Sequence, residues 1–434
     1  MKIFFLYQGV KCHGRTPEEK PLGGTESAMI FMAKALAKRN HDVHVFTNTD
    51  STEIYDHVTY HPAEDFETQA LKSNIDVLIG IRQMLPLLSR RWARLQLYLS
   101  PDAYDQPALH SAMNVRIEAT SQSFDVGLFS LNYVRKYIDG IICVGEWQAQ
   151  TFTEKFNIPP EHIFVGSNGV DLDFFPAPSN LKDRKKQIVY ASTPFRGLDI
   201  LLKVFPKIKQ KVPDASCAIL SGMQTYGISD DQDQKEYGDL YIRAQQPGVT
   251  LYGPLAKREL VKILEESRLM TYPNTFAETF CIAALEAQAA GLPVVTTDLA
   301  GLKERVSDGI DGFLISGHAS ETLYQEKFIE YVTTLLTDDS LWEKQSHAAY
   351  QKALSFSYDT LAERWENYFE EKLTESHPSY FFLPHHDEKL SILVGGYPKQ
   401  IELKKEFLCR SYAKCLYDTG YHETAKQVIH VLEG

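Results

Sequence analysis

The sequence lacks long apolar runs, has few cysteines and carries fewer basic than acidic residues, and each deficit excludes a class of protein. No apolar stretch in the 434 residues approaches the length of a membrane span, and the apolar run at 3–7 is too short for a signal peptide, so we expect a cytoplasmic protein. The six cysteines show no C-x-x-C spacing, which favours free thiols over a metal centre. A formal net charge of −12 argues against an extended nucleic-acid surface.

What is present is a globular composition in which strand and helix patterns alternate. Apolar residues make up 44% of the chain, enough for more than one core. The alternation predicts an α/β fold with two Rossmann-like doubly wound domains, at 1–175 and 176–356, that face a cleft. A helix at 357–376 is expected to pack back on the N-terminal domain. A helical-hairpin extension at 377–434, suited to oligomerisation, would complete the chain.

The segment 274–295 has the order of one αβ unit: a polar loop, a short helix, a glycine and an apolar strand. Thr279 is predicted to cap a helix that starts near Phe280. Gly291 is predicted to end it in the left-handed conformation, just before Pro293. The segment therefore places a helix start beside the carboxyl end of a strand.

Two glutamates, Glu278 and Glu286, stand eight positions apart around this helix start. Eight helical positions span about 12 Å along the axis. Free backbone N–H groups at the helix start favour an anion, so a diphosphate bound there would leave one carboxylate for sugar hydroxyls and one for ribose hydroxyls. A solvated helix face is the alternative. The apolar surroundings of Glu286 favour the binding interpretation, since a buried carboxylate needs hydrogen-bond donors.

Polar residues also follow the predicted strands of the N-terminal half. Ligands of open α/β sheets collect at the carboxyl ends of strands, which singles out Arg82, Asp102 and Asn168. Taken singly, each has a structural alternative: an ion pair, a cap and a turn residue respectively. The pair Gly23-Gly24, at the start of the next helix, either lets the backbone approach a phosphate or sugar or forms a flexible turn.

One compact basic and aromatic cluster lies at 90–94, with the sequence Arg-Arg-Trp-Ala-Arg. A solvated face is the simpler interpretation. Contact with an anionic acceptor or with lipid headgroups, and so peripheral attachment to the inner face of a membrane, is the alternative.

Together these patterns resemble the retaining glycosyltransferases of the GT-B fold known as glycosyltransferase family 4, over about residues 1–370. The E-x7-E element of that family corresponds to Glu278 and Glu286, and the apolar segment that follows it corresponds to 287–295. Weaker similarities are Gly23-Gly24, Glu146-Trp147, the segment 168–171, Glu304-Arg305-Val306 and the Asp-Gly turn at 308–312.

The resemblance implies transfer of a sugar from a nucleotide-sugar donor to a glycan, lipid or other hydroxyl acceptor, with retained configuration and without a metal or other cofactor. The donor would lie in the C-terminal half and the acceptor on the N-terminal half. Glu286 would accept from the ribose and Glu278 from the transferred sugar, while Arg196 and Lys257 would neutralise the diphosphate. The other donor contacts implied are Gly23, Gly24, Thr279, Phe280 and Cys281.

The sequence departs from the family pattern in three places. Ser192-Thr193 stand where an arginine often precedes the phosphate loop, Cys281 stands where glycine is common, and Ser100-Pro101-Asp102 replaces a frequent His-Asp pair. His110 is then the nearby candidate for the acceptor-side histidine. These departures motivate a second hypothesis, a catalytically weakened module that binds a sugar nucleotide or a partner protein. A sugar-nucleotide epimerase on the same fold is a third.

Overall fold

The computed structural model of the 434-residue chain describes residues 1–106, 137–156, 158–178 and 184–375. It also describes four further strands, at 114–119, 122–127, 390–394 and 397–401. All statements below concern these residues.

The N-terminal half is organised around eight strands of one sheet. The described strands in chain order are β1 (Lys2–Tyr7), β2 (Asp42–Thr47), β3 (Glu53–Tyr55), β4 (Val58–Pro62), β5 (Ile75–Ile81), β6 (Ala93–Ser100), β7 (Asn114–Ala119), β8 (Gln122–Gly127), β9 (Gly140–Cys143) and β10 (Ile163–Val165). Strands β7 and β8 form a separate antiparallel hairpin, and the other eight form the sheet. The sheet order is β10-β9-β6-β5-β1-β2-β4-β3. All its pairings are parallel except β3 with β4.

Helices cover both faces of this sheet, as the apolar strands require. The helices are α1 (Thr16–Glu19), α2 (Gly24–Lys38), α3 (Phe66–Ala70), α4 (Met84–Ser89) and α5 (Glu146–Phe156). Strand β1 is buried from its second residue to its last, because a parallel sheet between two helical layers exposes neither face. The resulting core places the carboxyl ends of β1, β5 and β6 side by side at one edge.

The C-terminal half repeats the arrangement with six parallel strands. They are β11 (Gln187–Tyr190), β12 (Ser216–Ile219), β13 (Val249–Leu251), β14 (Leu269–Tyr272), β15 (Val294–Thr297) and β16 (Gly312–Ile315), in the order β13-β12-β11-β14-β15-β16. The helices are α6 (Leu198–Lys211), α7 (Asp230–Arg243), α8 (Lys257–Glu266), α9 (Ile282–Ala289), α10 (Leu302–Arg305), α11 (Thr322–Thr337) and α12 (Asp339–Leu354). The predicted α/β class with two parallel-sheet domains is confirmed.

The chain passes between the halves twice, and the two crossings are hydrogen-bonded to each other. The Val170 N–H donates to the Phe356 carbonyl at 2.9 Å, and the Tyr358 N–H donates to the Val170 carbonyl at 3.1 Å. Helix α13 (Tyr358–Thr374) then returns to the N-terminal half and packs against α2. Its Trp365 indole donates to the Gly166 carbonyl at 2.8 Å. Thus α13 closes the chain back onto the domain where it began.

The C-terminal extension contains two strands that the sequence patterns did not predict. Strands β17 (Leu390–Val394) and β18 (Tyr397–Ile401) pair as an antiparallel hairpin. The helices expected within 377–434 lie outside the described residues. The described helices include none with the length and apolarity of a membrane span. The four described cysteines, at 12, 143, 217 and 281, are buried free thiols, as expected.

Candidate functional site

Arg196 and Glu278 meet at the carboxyl edge of the C-terminal sheet. Arg196 ends a short turn after β11, and Glu278 follows β14 in the loop that leads to α9. The Arg196 guanidinium donates to Glu278 Oε1 at 2.9 Å, and the Tyr272 hydroxyl donates to the same oxygen at 2.6 Å. Burial opposes the charge on Arg196, but Glu278 raises the pKa of Arg196 above its ordinary value. The pair is therefore a buried cation–carboxylate contact.

The backbone around Arg196 fixes its position. Gly197 has φ of +117°, and a Cβ there would lie 2.1 Å from the Pro273 carbonyl oxygen, so only glycine allows this loop to rest on the loop after β14. The Arg196 guanidinium stacks over the Phe276 ring, 4.0 Å from its centroid. Its second terminal nitrogen donates to the Tyr226 hydroxyl at 3.1 Å. Arg196 thus links loops that are far apart in the sequence.

Lys257 and Glu286 form a second buried cation–carboxylate contact. Lys257 is the first residue of α8, and its ammonium donates to Glu286 Oε1. Both side chains are about nine-tenths buried, at 11% and 9% exposure. The cleft between the halves is lined here by Lys257 and Glu286 on one side and by Ser27 of α2 on the other. This contact consequently faces the interdomain cleft.

The start of α9 differs from the prediction. The helix begins at Ile282 rather than near Phe280, and Cys281 at the N-cap has φ of +69°. Thr279 does not cap the helix, because its hydroxyl donates across the cleft to the Pro101 carbonyl at 2.9 Å. Gly291 does adopt the predicted left-handed conformation, with φ of +75°. The first N–H groups of α9 lack acceptors within the helix, as in any helix.

The Gly23-Gly24 pair brings the N-terminal half close to this helix start. A Cβ on Gly24 would lie 3.1 Å from the Ile282 side chain, and a Cβ on Gly23 would lie 2.4 Å from Glu26 Oε2. The N-terminal half therefore approaches α9 closely at this pair, and the contact of the pair with a phosphate or sugar stays a prediction. Phe280 is buried beside them and packs edge-on against Phe356.

Four residues cluster at the opposite, N-terminal edge of the cleft. Arg82, directly after β5, donates to both oxygens of Asp102 at 2.7 and 2.5 Å. The Tyr7 hydroxyl, at the end of β1, donates to buried Glu26 on α2. Burial and Glu26 both raise the pKa of Tyr7, while Asp102 raises that of Arg82 against the effect of burial. Arg82 has φ of +56°, a strained conformation that aims its side chain along this edge.

The remaining predicted residues are not brought into this cluster. Asn168 follows β10, the edge strand of the sheet, and the next residue, Gly169, lines the pocket that also contains Lys257 and Glu286. His110 lies outside the described residues. In the basic cluster at 90–94, Arg94 pairs with Asp76 at 3.1 Å and Arg91 pairs with Asp139 at 2.7 Å. Two of the three arginines of the cluster thus form ion pairs within the N-terminal half, and contact with an anionic acceptor or lipid headgroups stays a prediction.

Contacts across the cleft hold the two edges against each other. The Glu304 carboxylate of α10 accepts from the backbone N–H groups of Glu146, at 2.9 Å, and Trp147, at the start of α5. Its negative charge complements the positive end of that helix. Arg258 on α8 pairs with Glu18 on α1 at 3.0 Å. The described structure is thus a closed arrangement of the two halves.

Several residues of the site carried no sequence signal strong enough to select them. Tyr272 ends β14, so the strand-end rule applied to the second half would have found it. Glu26 stands two residues after Gly24, but its contact with Tyr7 depends on the sheet. Arg305 is 2% exposed and stacks between Phe280 and Phe356, at 4.4 and 3.9 Å from the ring centroids, and burial lowers its pKa to about 10.

Comparison with known proteins gives two adjoining family matches. The family described as Glycosyltransferase Family 4 matches residues 22–174, and Glycosyl transferases group 1 matches residues 171–352. A D-inositol 3-phosphate glycosyltransferase from Corynebacterium aurimucosum is 25% identical over 244 residues, 52% of this chain and 55% of the relative. One from Mycobacterium sp. (strain KMS) is 29% identical over 190 residues, 42% of each chain. The chain thus spans about half the length of these curated relatives.

Solved structures share the fold at low identity. A sucrose-phosphate synthase from Thermosynechococcus elongatus has a TM-score of 0.65 at 14% identity, covering 87% of this chain and all of that chain. Anabaena HepE in complex with UDP-glucose has a TM-score of 0.63 at 17% identity, covering 86% of this chain and all of that chain. Both matches extend over the two sheets and the cleft between them.

Proposed function

Because the chain belongs to the glycosyltransferases described by these two adjoining family matches, we propose that it transfers a sugar from a nucleotide-sugar donor to a hydroxyl acceptor, with retention of configuration. The observation that carries the proposal is the pair of buried cation–carboxylate contacts, Arg196 with Glu278 and Lys257 with Glu286, around the start of α9. Each pair supplies one group for an anion and one for hydroxyls.

The cations and the helix start suit a leaving diphosphate. As the bond to the sugar breaks, the diphosphate gains negative charge, and fixed donors in a water-poor site stabilise that charge most effectively. Arg196, Lys257 and the N-terminus of α9 are such donors. We propose that they do this without a bound metal. Stacking on Phe276 and the contact with Gly197 hold Arg196 in place for this role.

The two carboxylates suit the hydroxyls of the donor. In the described structure Glu278 and Glu286 accept hydrogen bonds from the cations. We propose that the donor takes over both partners, so that the diphosphate binds Arg196 and Lys257 while sugar and ribose hydroxyls donate to Glu278 and Glu286. Each buried charge then keeps a partner throughout, which avoids the cost of an isolated charge in the interior.

The acceptor side and the cellular location complete the proposal. Arg82 and Asp102 lie opposite the donor residues, and the Thr279 contact with Pro101 sets the two edges together. We place the protein in the cytoplasm, in keeping with its unpaired buried thiols. HepE, a structural relative, is described in complex with UDP-glucose, which makes a UDP-sugar the first donor to test.

The proposal is tested by a thermal-shift screen of UDP-, GDP-, ADP- and dTDP-sugars, followed by transfer assays with the donor that stabilises the protein. A ligand that binds only the folded state raises its stability with the logarithm of its concentration. We expect one donor to raise the melting temperature and to be consumed when an acceptor is added. No shift with any sugar nucleotide would reject the proposal. Binding without transfer would instead favour a non-catalytic module, and isomerised donor without acceptor would indicate an epimerase.

A further inference from the structure

The N-terminal edge of the cleft, which we call the acceptor edge because the acceptor is proposed to bind there, has an uneven distribution of charge. It is formed by Tyr7, Glu26, Arg82 and Asp102, which we call the acceptor cluster. Three charged groups belong to it: the carboxylates of Glu26 and Asp102 and the guanidinium of Arg82. Burial and Glu26 keep the Tyr7 hydroxyl protonated, since both raise its pKa. Counted at formal charges, two carboxylates and one guanidinium give the acceptor cluster a formal net charge of −1.

The one cation of this cluster is already engaged. Arg82 donates through two nitrogens to both oxygens of Asp102, a bidentate geometry that uses the face with which arginine would grip a phosphate. Two lysines in the loop after β1 lie at the surface, where Lys11 pairs with Asp50 and Lys20 donates to the Lys11 carbonyl at 3.2 Å. Among the described residues of this edge, an incoming phosphate would therefore meet a paired guanidinium and a buried carboxylate.

One oxygen of the Glu26 carboxylate has no identified hydrogen-bond donor among the described residues. Tyr7 donates to its Oε1, while its Oε2 lies where a side chain at position 23 would clash, 2.4 Å from the Cβ position of Gly23. Because glycine has no Cβ, Glu26 Oε2 can lie close to the backbone of residue 23. Glu26 is 5% exposed, so its carboxylate is buried at this edge. A carboxylate in this position accepts from hydroxyls and repels anions.

We propose that the acceptor is an uncharged polyhydroxy compound, with hydroxyls that donate to Glu26 and Asp102, and that the acceptor cluster discriminates against phosphorylated acceptors. The proposal rests on the proposed glycosyl transfer and names its acceptor class. It separates this chain from relatives whose printed name is D-inositol 3-phosphate glycosyltransferase.

The test compares acceptors in matched pairs with the nucleotide sugar that stabilises the protein most. The pairs are myo-inositol with myo-inositol 3-phosphate and D-glucose with D-glucose 6-phosphate. We expect kcat/KM to be about tenfold or more higher for the uncharged member, because opposed like charges cost several kcal/mol in a cleft. A higher value for the phosphorylated members would overturn the proposal, and so would donor binding with transfer to no member of either pair. Failure of donor binding would reject the proposed function instead.

Two substitutions examine the cause of the selectivity. Asp102→Asn releases Arg82, and Glu26→Gln removes the unpaired negative charge, so each should shift the ratio of kcat/KM toward the phosphorylated acceptors by about tenfold. Asp76→Asn is the matched control, because Asp76 pairs with Arg94 at the opposite edge of the same sheet. The control should leave the ratio unchanged. A ratio that stays constant in both cluster variants, with donor affinity retained, would contradict the assignment.

Discussion

The two edges of the cleft use the same kind of contact in different ways. At the C-terminal edge, Arg196 and Lys257 pair with the carboxylates Glu278 and Glu286, which lie around one helix start. At the N-terminal edge, Arg82 pairs with Asp102, while Glu26 has only the Tyr7 hydroxyl as an identified donor. Counted at formal charges, the C-terminal edge thus pairs each carboxylate with a cation, whereas the described residues of the N-terminal edge include one more carboxylate than cations. The difference suits one edge to a diphosphate and the other to neutral hydroxyls.

We call the C-terminal edge with Arg196, Lys257, Glu278 and Glu286 the donor edge. Among substitutions there, Arg196→Ala should have the largest effect. We expect kcat to fall by about 100- to 1,000-fold, the usual cost of removing one fixed donor from a developing oxyanion. Arg196→Lys keeps the charge but not the planar fork and should recover part of the loss. Steady-state kinetics at saturating donor measure the effect. Arg243→Ala, which changes an exposed arginine of α7, is the control. A wild-type kcat in the Arg196→Ala protein would show that the donor edge does not act on the leaving group.

Glu286→Gln separates binding from chemistry at the same edge. We expect the Kd for the nucleotide to rise about 10- to 100-fold, because a hydrogen bond to a charged group contributes about 1.5–3 kcal/mol. The value of kcat at saturating donor should change much less. Isothermal titration with nucleoside diphosphate gives the Kd. Glu343→Gln, on the exposed face of α12, is the matched control. An unchanged Kd would contradict the proposal that Glu286 accepts hydrogen bonds from the ribose hydroxyls.

Glu304→Gln tests the contact that holds the two edges together. The carboxylate of Glu304 accepts from two N–H groups at the start of α5, and a charge near a helix terminus contributes about 0.3–1 kcal/mol. We expect kcat/KM to fall about two- to fivefold, while the nucleotide Kd measured by titration stays constant. Small-angle scattering should show a larger radius of gyration. An equal loss in nucleotide affinity would mean that Glu304 acts on the donor edge alone.

Substitution of Cys281 should have a smaller effect, on protein stability, that arises at the donor edge alone. Its φ of +69° is unfavourable for a β-branched residue, so Cys281→Val should destabilise the protein by about 1–3 kcal/mol. Cys281→Gly removes the backbone strain but loses a buried thiol, and the two effects should nearly cancel. Thermal unfolding of both variants measures the difference. Equal melting temperatures for the valine and glycine variants would contradict the strain at this position.

The smallest effect concerns acid sensitivity, which we expect in the N-terminal half. His44 on β2 contacts His61 on β4 at 2.9 Å, and burial lowers the pKa of both below the ordinary value. As pH falls through about 6.5, the unfolded chain binds protons that the folded chain does not, so stability decreases with falling pH. His61→Gln should flatten the melting temperature between pH 7.5 and 5. A steeper dependence in that variant would contradict this sign.

The placement of Glu278 and Glu286 around one helix start could be predicted from the sequence, whereas most of the grouping at the N-terminal edge could not. Glu278 and Glu286 lie on one short segment with a recognisable order of loop, helix, glycine and strand, so local patterns were sufficient. The acceptor cluster draws its four residues from positions 7, 26, 82 and 102, and only the parallel order of β1, β5 and β6 brings them together. The strand-end rule selected Arg82 and Asp102 but gave no reason to pair them. Glu26 lies on α2 and joins the cluster only through its contact with Tyr7 at the end of β1.

The start of α9 shows a different limit of sequence reasoning. A threonine before an apolar helix ordinarily indicates an N-cap. Here the Thr279 hydroxyl reaches Pro101 in the other half of the molecule, and Cys281 takes the N-cap position with an unfavourable φ. An interaction between halves therefore outweighs the local preference, and no single-segment pattern contains that information.

The paired crossings at Val170 and Ser357 have a mechanical consequence. A single connecting segment would let the two halves swivel freely, whereas two segments bonded side by side resist twisting and sliding and leave bending about one line as the easy motion. An opening of the cleft about that line would retrace one path, so the carboxylates of one half would return to the same position against the other half at each closure.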